Sequence, residues 1–231
     1  MQIRSKFTKE PSVRLISHLD VVRVFDRAIR RANLPIAFSK GFNPRPQMNF
    51  SFPLPLGVTS SAEYVDMELS EPILPQIFQE RLNASLPNGF HIIKAQKIGD
   101  DVMPLMSEID VAVYDIVANL GKEHDLNSLH SIFDRFLKSN DVIVKRKRKR
   151  RGRIFYKDMN IRPFIYSLKI LSQNKNRLSL EVELNASRGS INLVIQALKK
   201  WDDKLNDWET EKVHRKGLYI KKNSELFSPF H

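Results

Sequence analysis

Residues 13–57 have the sequence VRLISHLDVVRVFDRAIRRANLPIAFSKGFNPRPQMNFSFPLPLG. Ser17, with Asp20 three positions later, forms an S-x-x-D capping box, which predicts that an amphipathic helix starts here. Apolar residues recur every three or four positions as far as Ala32, and Asn33-Leu34-Pro35 ends the helix. A Gly-Phe-Asn-Pro turn between two extended runs follows. The segment therefore predicts a helix followed by two strands.

The residues on either side of this segment extend the pattern to a complete unit. Residues 2–7 alternate as a strand, and residues 63–69 alternate with Val65 and Met67 inward and Tyr64 and Asp66 outward. Pro72 and Pro75 suit the start of a second helix, and residues 90–98 predict another strand. The resulting order, β-α-β-β-α-β, is typical of a ferredoxin-like unit.

The second half of the chain repeats this order of elements without repeating its residues. We therefore expect an α+β fold of two tandem ferredoxin-like (β-α-β-β-α-β) units. The expected domains are residues 1–99 and 107–222, joined by a linker over 99–106 and followed by a tail over 223–231. Residues 142–171 have to supply a strand or hairpin beyond this template.

Composition limits the possible functions. The chain has 231 residues, no cysteine and a formal net charge of +12. The absence of cysteine excludes disulfides, thiolate metal sites and cysteine-ligated iron–sulfur clusters in this chain. No apolar run is long enough for a membrane helix and no secretory signal is visible, so we expect a cytoplasmic protein. The charge favours a polyanionic partner, nucleic acid before anionic membrane, although repulsion that keeps the chain soluble is an alternative.

The most basic segment, residues 145–153, reads KRKRKRRGR and has eight basic residues in nine. Such a run cannot be buried, so we expect an exposed hairpin arm or a mobile loop that contacts phosphates. The alternatives are a solvated loop tip or a targeting signal. Ile154, Phe155 and Tyr156 follow and would either stack on bases or face the core. The predicted RNA-binding residues of this arm are Lys145, Arg146, Lys147, Arg148, Lys149, Arg150, Arg151 and Arg153.

A second cationic surface is predicted on the first helix and the turn after it. Its arginines recur at helical spacing opposite the apolar stripe, and the turn is stiffened by Pro44 and Pro46. A solvated helix face paired with Asp20 and Asp26, and an ordinary hairpin turn, are the alternatives. The predicted RNA-binding residues here are Arg23, Arg27, Arg30, Arg31, Lys40, Asn43 and Arg45.

His18, at the predicted start of the helix, is the one candidate catalytic residue. It could act as a general acid or base, or donate a hydrogen bond to a phosphate held at the helix N-terminus. A neutral histidine with no role beyond the cap is the alternative. The remaining histidines have no metal-ligand spacing, so we expect no metal and no cofactor.

Taken together, these motifs resemble the radical-SAM-linked domain of unknown function found in bacteria. The resemblance is dense from about Ile3 to Leu69 and weaker in the second half, and Arg45 stands where the family often has histidine. The matching motifs are ISHLD (16–20), Arg23, Arg27-Ala28, Arg30-Arg31-Ala32, Leu34-Pro35, SxGFNPxP (39–46), PLxxG (53–57), residues 158–163, RGSxNL (188–193) and HRKG (214–217).

The resemblance implies partnership with a radical SAM protein, fused or separate, in chemistry on an RNA. Combined with the charge, it favours an RNA-binding accessory module that presents tRNA or another structured RNA for modification. Two alternatives remain open. One is a metal-independent endoribonuclease that uses His18, with Arg23, Arg27 or Lys40 stabilising the phosphorane. The other is a protein-interaction adaptor for a radical SAM enzyme. The sequence leaves the oligomeric state open.

Overall fold

A computed structural model describes residues 1–99, 101–150, 152–223 and 225–230. The chain has two compact units, one formed by Met1–Asp110 with His214–His231 and the other by Val111–Val213. Five α-helices and several β-strands lie in the described residues, which confirms the predicted α+β class. In chain order the elements are β1 (Gln2–Lys9), α1 (His18–Arg31), β2 (Met48–Phe50), β3 (Thr59–Glu68), α2 (Pro75–Ser85), β4 (Phe90–Ile98), α3 (Leu105–Glu108), β5 (Val111–Asn119), α4 (Leu126–Lys138), β6 (Ile143–Arg150), β7 (Arg153–Asn160), β8 (Ile165–Asn174), β9 (Arg177–Asn185), α5 (Ile191–Leu198), β10 (Glu209–Lys222) and β11 (Glu225–Phe227).

The sheet of the first unit is mixed. β1 lies between β3 and β4 and pairs antiparallel with both, and β2 pairs antiparallel with the second half of β3. The first half of β3 pairs in parallel with β10, where Thr59 and Ser60 meet His214 and Arg215. The order β-α-β-β-α-β is present in this unit, whereas the tandem ferredoxin-like arrangement of the whole chain stays a prediction.

The first helix forms where the capping box places it. Ser17 is the N-cap of α1; its hydroxyl accepts a hydrogen bond from the backbone N–H of Asp20 and donates one to the Asp20 carboxylate. The apolar stripe of α1, including Phe25 and Ile29, is buried against β1 and β3. Phe25 packs on Phe7 with ring centroids 4.8 Å apart, so the helix is fixed by its apolar face as the pattern predicts.

The opposite face of β3 is also buried, and here the sequence prediction is wrong. Tyr64 and Asp66, expected to face solvent, are 2% and 7% exposed. Tyr64 packs against Phe230, with ring centroids 5.7 Å apart. Arg4 explains the burial of Asp66 because its guanidinium, itself fully buried, donates to Asp66 at 2.8 and 2.9 Å, to Glu108 of α3 and to the Pro229 carbonyl. Burial raises the pKa of Asp66, and the Arg4 hydrogen bonds and charge offset part of that rise.

The domain boundaries also differ from the expected ones. Residues 214–222, expected in the second domain, group with the first unit. Their parallel pairing with β3 is reinforced by Arg215, which is 1% exposed and forms an ion pair with Glu63. The predicted linker over 99–106 overlaps α3, which supplies Glu108 to Arg4.

The second unit is an antiparallel sheet with α4 and α5. β9 pairs antiparallel with β5 and β8, and its alternating leucines and Val182 are buried as predicted. α5 begins after Ser190 as predicted, although that side chain makes no cap hydrogen bond. β6 and β7 form a separate two-stranded sheet, the hairpin that the template did not supply.

No helix in the described part of the chain combines the length and apolarity required to cross a bilayer.

The buried Arg4 network predicts a large loss of stability in Arg4→Ala. The substitution removes the buried guanidinium that pairs with Asp66 and Glu108, and removing one partner of a buried ion pair typically costs about 3–5 kcal/mol. Urea unfolding followed by circular dichroism should show a clearly lower midpoint for Arg4→Ala. Arg30→Ala, which breaks the exposed pair with Asp26, is the matched control and should change the free energy of unfolding by about 0.5 kcal/mol. Equal midpoints for the two variants would contradict the prediction.

Candidate nucleic-acid interface

The basic run forms the β6–β7 hairpin, a ribbon of two eight-residue strands in register from Ile143–Asn160 to Arg150–Arg153. At about 3.4 Å per residue it is about 27 Å long. Its side chains are mostly exposed, including Ile154 (55%), Phe155 (43%) and Tyr156 (64%). These three residues therefore lie beside the charge rather than in the core.

The alternation of lysine and arginine in this run sorts the two residue types by face. Successive side chains of a strand point to opposite sides, and directly paired residues share a side. The lysine face therefore carries Lys145, Lys147 and Lys149, with Tyr156 opposite Lys147 and Asp158 opposite Lys145. The arginine face carries Arg146 and Arg148, with Phe155, Lys157 and Arg153 on the partner strand.

Little within the hairpin neutralises its charge. Residues 143–160 contain nine basic residues and one acidic residue, Asp158. Arg146 lies on Met159, with its Nη1 3.7 Å from the sulfur, and no ion pair is recorded among the described side chains of this segment. Of the predicted contacts, Arg150 contributes backbone pairing to Arg153, and Arg151 lies outside the described residues.

The arginines of α1 differ in how far they are engaged. Arg23 pairs with Asp20 and Arg30 with Asp26, each at 2.9 Å, and Arg31 donates to the Ser85 carbonyl at 2.7 Å. Arg27 is exposed and has no hydrogen bond or ion pair with another described residue. The alternative reading of a partly paired helix face thus accounts for Arg23 and Arg30 and leaves Arg27 available.

The turn after α1 is a closed loop. Phe38 and Pro46 form an isolated β-bridge, the Ser39 amide donates to the Arg45 carbonyl at 2.9 Å, and the Arg45 amide donates to the Ser39 hydroxyl at 3.0 Å. Gly41 has φ of +128°, a conformation open to glycine. At the tip, Phe42 is fully exposed, at 106% of its reference area.

The structure joins this turn to the C-terminal end of α1. The Arg30 guanidinium lies 5.4 Å from the centroid of the Phe38 ring, a cation–π contact. Lys40, Asn43 and Arg45 are exposed beyond it and have no side-chain partner among the described residues. We call this set the α1–turn surface; it comprises Arg23, Arg27, Arg30, Arg31, Lys40, Phe42, Asn43 and Arg45.

His18 lies at the other end of α1 from the turn. At 1.5 Å per residue, Arg30 is about 18 Å from His18 along the helix axis. Phe38 contacts Arg30 and Lys40 follows Phe38 by two residues, so Lys40 also belongs to the far end of the helix. The His18 ring packs edge-on against Phe50 at 5.7 Å. On one side it lines a cavity of about 20 Å³ with Lys9 and Glu63, which has room for about one water. On the other it lines an open, largely apolar groove of about 340 Å³.

Sequence reasoning missed the charged residues packed around His18. Lys9 is 3% exposed and donates to the carbonyls of Arg14 and Ile16 at 3.3 and 2.8 Å. Glu63 accepts from Arg215, whose guanidinium also donates to the Phe52 carbonyl. The sequence does contain a sign of their burial: in the alternation of β1 and β3, Lys9 and Glu63 fall on the same side as the buried apolar residues.

This environment disfavours the charged form of His18. Burial lowers the pKa of His18, Glu63 offsets part of the change, and the positive charges of Arg215 and Lys9 add to it. Burial likewise lowers the pKa of Lys9, with the same opposition from Glu63 and reinforcement from Arg215. His18 is therefore a neutral imidazole at pH 7, distant from the Lys40 expected to assist it.

A metal site finds no support in the part of the chain that the structure describes, where no three metal-ligating side chains cluster.

Comparison with solved structures shows similarity at the level of fold. A chain of the crystal structure of a Cbf5-Nop10-Gar1 complex superposes with a TM-score of 0.52 at 11% identity, over 92% of this chain and 47% of that one. The archaeal box H/ACA sRNP Nop10-Cbf5 complex gives 0.46 at 11% identity, over 92% and 46%. An H/ACA RNP bound to a substrate RNA containing 2'-deoxyuridine gives 0.47 at 10% identity, over 96% and 47%. The chain thus spans about half the length of these matches.

Comparison of sequences gives a family. No curated protein matches the chain. The profile of a family described as "Uncharacterized protein conserved in bacteria (DUF2344)" matches residues 2–194.

The environment of His18 predicts a pH dependence of stability. Because the folded pKa lies below the ordinary 6.5, the unfolded chain takes up the proton first as pH falls. The contribution of His18 to the free energy of unfolding is therefore fully present above pH 6.5 and is lost as pH falls toward the folded pKa. The loss is about 1.4 kcal/mol for each pH unit between the unfolded and folded pKa. Urea unfolding between about pH 5 and pH 8 should show a shallower acid decline for His18→Gln. His91→Gln, at an exposed position of β4, should retain the wild-type decline; an unchanged decline in His18→Gln would contradict the assignment.

Proposed function

The chain belongs to this DUF2344 family of uncharacterized bacterial proteins, and we propose that it is an RNA-binding accessory module for structured RNA such as tRNA. The observation that carries the proposal is the β6–β7 hairpin. Its two strands carry eight basic residues and one acidic residue on a ribbon about 27 Å long. Basic residues that neutralise the phosphates of a nucleic acid release the counterions condensed on it, which favours nucleic acid as the partner.

The two faces of the hairpin suit different contacts with RNA. Arginine binds phosphate bidentately and stacks on bases, whereas lysine contributes a flexible point charge. Phe155 lies among the arginines and Tyr156 among the lysines, so each face offers an aromatic ring beside cations. These contacts position an RNA through its backbone and unpaired bases rather than by reading a sequence.

The α1–turn surface supplies a second set of contacts in the first unit. Arg27, Lys40 and Arg45 are exposed cations without a partner among the described residues, and Phe42, in the same loop as the latter two, is fully exposed. The loop is closed by the Phe38–Pro46 bridge and the Ser39–Arg45 hydrogen bonds. A rigid loop loses less conformational entropy on binding, which supports a role in recognition.

Presentation of the RNA to a radical SAM protein is the finer part of the proposal. It rests on the resemblance of the motifs in residues 13–57 to the radical-SAM-linked domain. This chain has no cysteine and so cannot ligate the iron–sulfur cluster of such a reaction through thiolates. The partner would supply the chemistry, and this chain would supply RNA contacts.

The endoribonuclease alternative is less well supported by the geometry. The groove beside His18 is lined mainly by apolar side chains such as Met48, Pro53 and Met106, and none of the α1 arginines lines it. Lys9, which lines the small cavity together with His18, is engaged with two backbone carbonyls. A phosphorane at His18 would therefore lack an available cation.

Removing hairpin charge should reduce the salt dependence of RNA binding. Arg146→Ser with Arg148→Ser should lower the slope of log affinity against log salt by about 1.4–1.8, since each phosphate contact contributes about 0.7–0.9. Lys122→Ser with Lys138→Ser, also exposed in the second unit, is the control and should leave the slope unchanged. Filter binding of tRNA in EDTA measures both.

Equal slopes for the two double variants would contradict the assignment of the hairpin to the RNA-binding surface. The RNA recovered from the same samples is expected at full length. Cleavage in EDTA that disappears in His18→Ala would replace the proposal by the endoribonuclease alternative.

Replacing Phe42 should weaken binding to single-stranded RNA without changing stability. Loss of one stacked base typically costs about 1–3 kcal/mol, which corresponds to about 5- to 150-fold in affinity. Fluorescence anisotropy with an oligouridylate compares Phe42→Ala with Leu15→Ala, a residue 71% exposed in the same unit. The Leu15→Ala affinity should equal that of the unaltered chain; equal affinities for both variants would exclude Phe42 as a contact.

A further inference from the structure

At the foot of the hairpin, a groove of about 620 Å³ lies between β6–β7 and the end of α5. This volume is within the usual range for small-molecule sites, about 300–1,000 Å³. Its polar and aromatic lining residues come from both elements. The hairpin contributes Lys145 and Tyr156, and α5 with the residues after it contributes Gln196, Lys200 and Trp201. All of these belong to the second unit.

The two aromatic rings differ in how they are held. Trp201 packs edge-on against Phe136 of α4, with centroids 5.1 Å apart and an interplanar angle of 89°, and Phe136 is fully buried. Packing therefore fixes the indole before any ligand arrives. Tyr156 is 64% exposed and lies on the lysine face of the hairpin, so its ring offers a surface for stacking.

The polar groups of the groove lack partners in the described part of the chain. Within the described residues, the ammonium groups of Lys145 and Lys200 form no ion pair or hydrogen bond, and neither do the Gln196 amide and the Tyr156 hydroxyl. Two cations, one amide that can both donate and accept, and two aromatic rings thus converge on one space. This combination matches a flat heteroaromatic ring attached to an anion, the chemistry of a nucleotide.

We propose that this groove binds one unpaired nucleotide of an RNA strand. The base stacks on Tyr156 and Trp201, Gln196 hydrogen-bonds its edge, and Lys145 and Lys200 contact the flanking phosphates. The lysine face continues from Lys145 to Lys147 and Lys149, which provides a path for the neighbouring phosphates and favours a strand over a free nucleotide. The inference rests on the proposed RNA-binding function and deepens it by assigning where an unpaired base is held.

Tryptophan fluorescence tests the proposal directly. The chain has two tryptophans, and Trp208 is 3% exposed, so quenching by a stacked base reports on Trp201. A single-stranded oligouridylate should quench the emission and a fully paired RNA hairpin of the same length should quench it much less. Trp201→Phe should abolish the quenching while retaining the packing on Phe136. Quenching retained in Trp201→Phe would overturn the proposal.

A matched pair of hairpin variants provides the control. Tyr156→Ala should weaken binding of the single strand by about 5- to 150-fold, and Tyr156→Phe should restore it. Leu171→Ala removes a side chain of β8 that is 52% exposed in the same unit and should leave the quenching titration unchanged. Equal weakening of single-strand binding by Tyr156→Ala and Leu171→Ala would contradict the groove as the binding site. Equal affinities for uridine monophosphate and the oligouridylate would also contradict the proposal, because they would indicate that the groove binds a free nucleotide and not an RNA strand.

The same samples separate this proposal from the broader one. If the groove is wrong and RNA binding is right, the single strand binds without quenching the emission of Trp201, and the salt-dependent binding of tRNA persists. If the unaltered chain binds neither tRNA nor the single strand, the RNA-binding function fails and the groove fails with it.

Discussion

The first unit depends on the neutralisation of arginines in its interior. Arg4 donates to Asp66, Glu108 and the Pro229 carbonyl, partners that are 62, 104 and 225 residues away in the chain. A guanidinium remains charged in proteins and has five donors, so its burial is tolerated only where carboxylates and carbonyls meet it. This requirement brings β1, β3, α3 and the C-terminal residues to one place. Arg215 repeats the arrangement, since its pairing with Glu63 ties β10 to β3.

Most other basic residues, in contrast to Arg4 and Arg215, are exposed to solvent. The hairpin exposes a run of them, and the α1–turn surface exposes others that have no partner among the described residues. The net charge of +12 is therefore concentrated on surfaces, while the interior of the first unit balances most of its own charge. Lys9 is a partial exception, because its ammonium group donates hydrogen bonds to backbone carbonyls rather than to a carboxylate.

The parts of the fold that depend on local chemistry were predictable from sequence. The Ser17 cap, the apolar stripe of α1 and the alternation of β9 each depend on residues a few positions apart. The exposed hairpin follows from a run that cannot be buried. The burial of Tyr64 and Asp66 was not predictable, because their alternation is the same whether solvent or another segment covers that face. The assignment of residues 214–222 to the first unit likewise depends on a contact between Arg215 and Glu63, which no local pattern encodes.

The candidate site likewise has a part that is predictable from sequence and a part that only the fold reveals. Exposed cations are visible in a sequence, so the hairpin and the α1–turn surface were found from residues alone, and the register then added the separation of lysines from arginines. The groove at the foot of the hairpin was not visible, because Tyr156 and Trp201 are separated by 45 positions in the sequence and meet only in the folded unit. His18 shows the converse error: its position at a helix start suggested chemistry, but Arg23 and Arg27 are distributed along a rigid helix of 14 residues and Lys40 lies beyond its far end. Helix geometry thus separates residues that are close in sequence, and tertiary packing brings distant ones together, so the residues of the proposed binding groove are identified by the fold rather than by their spacing.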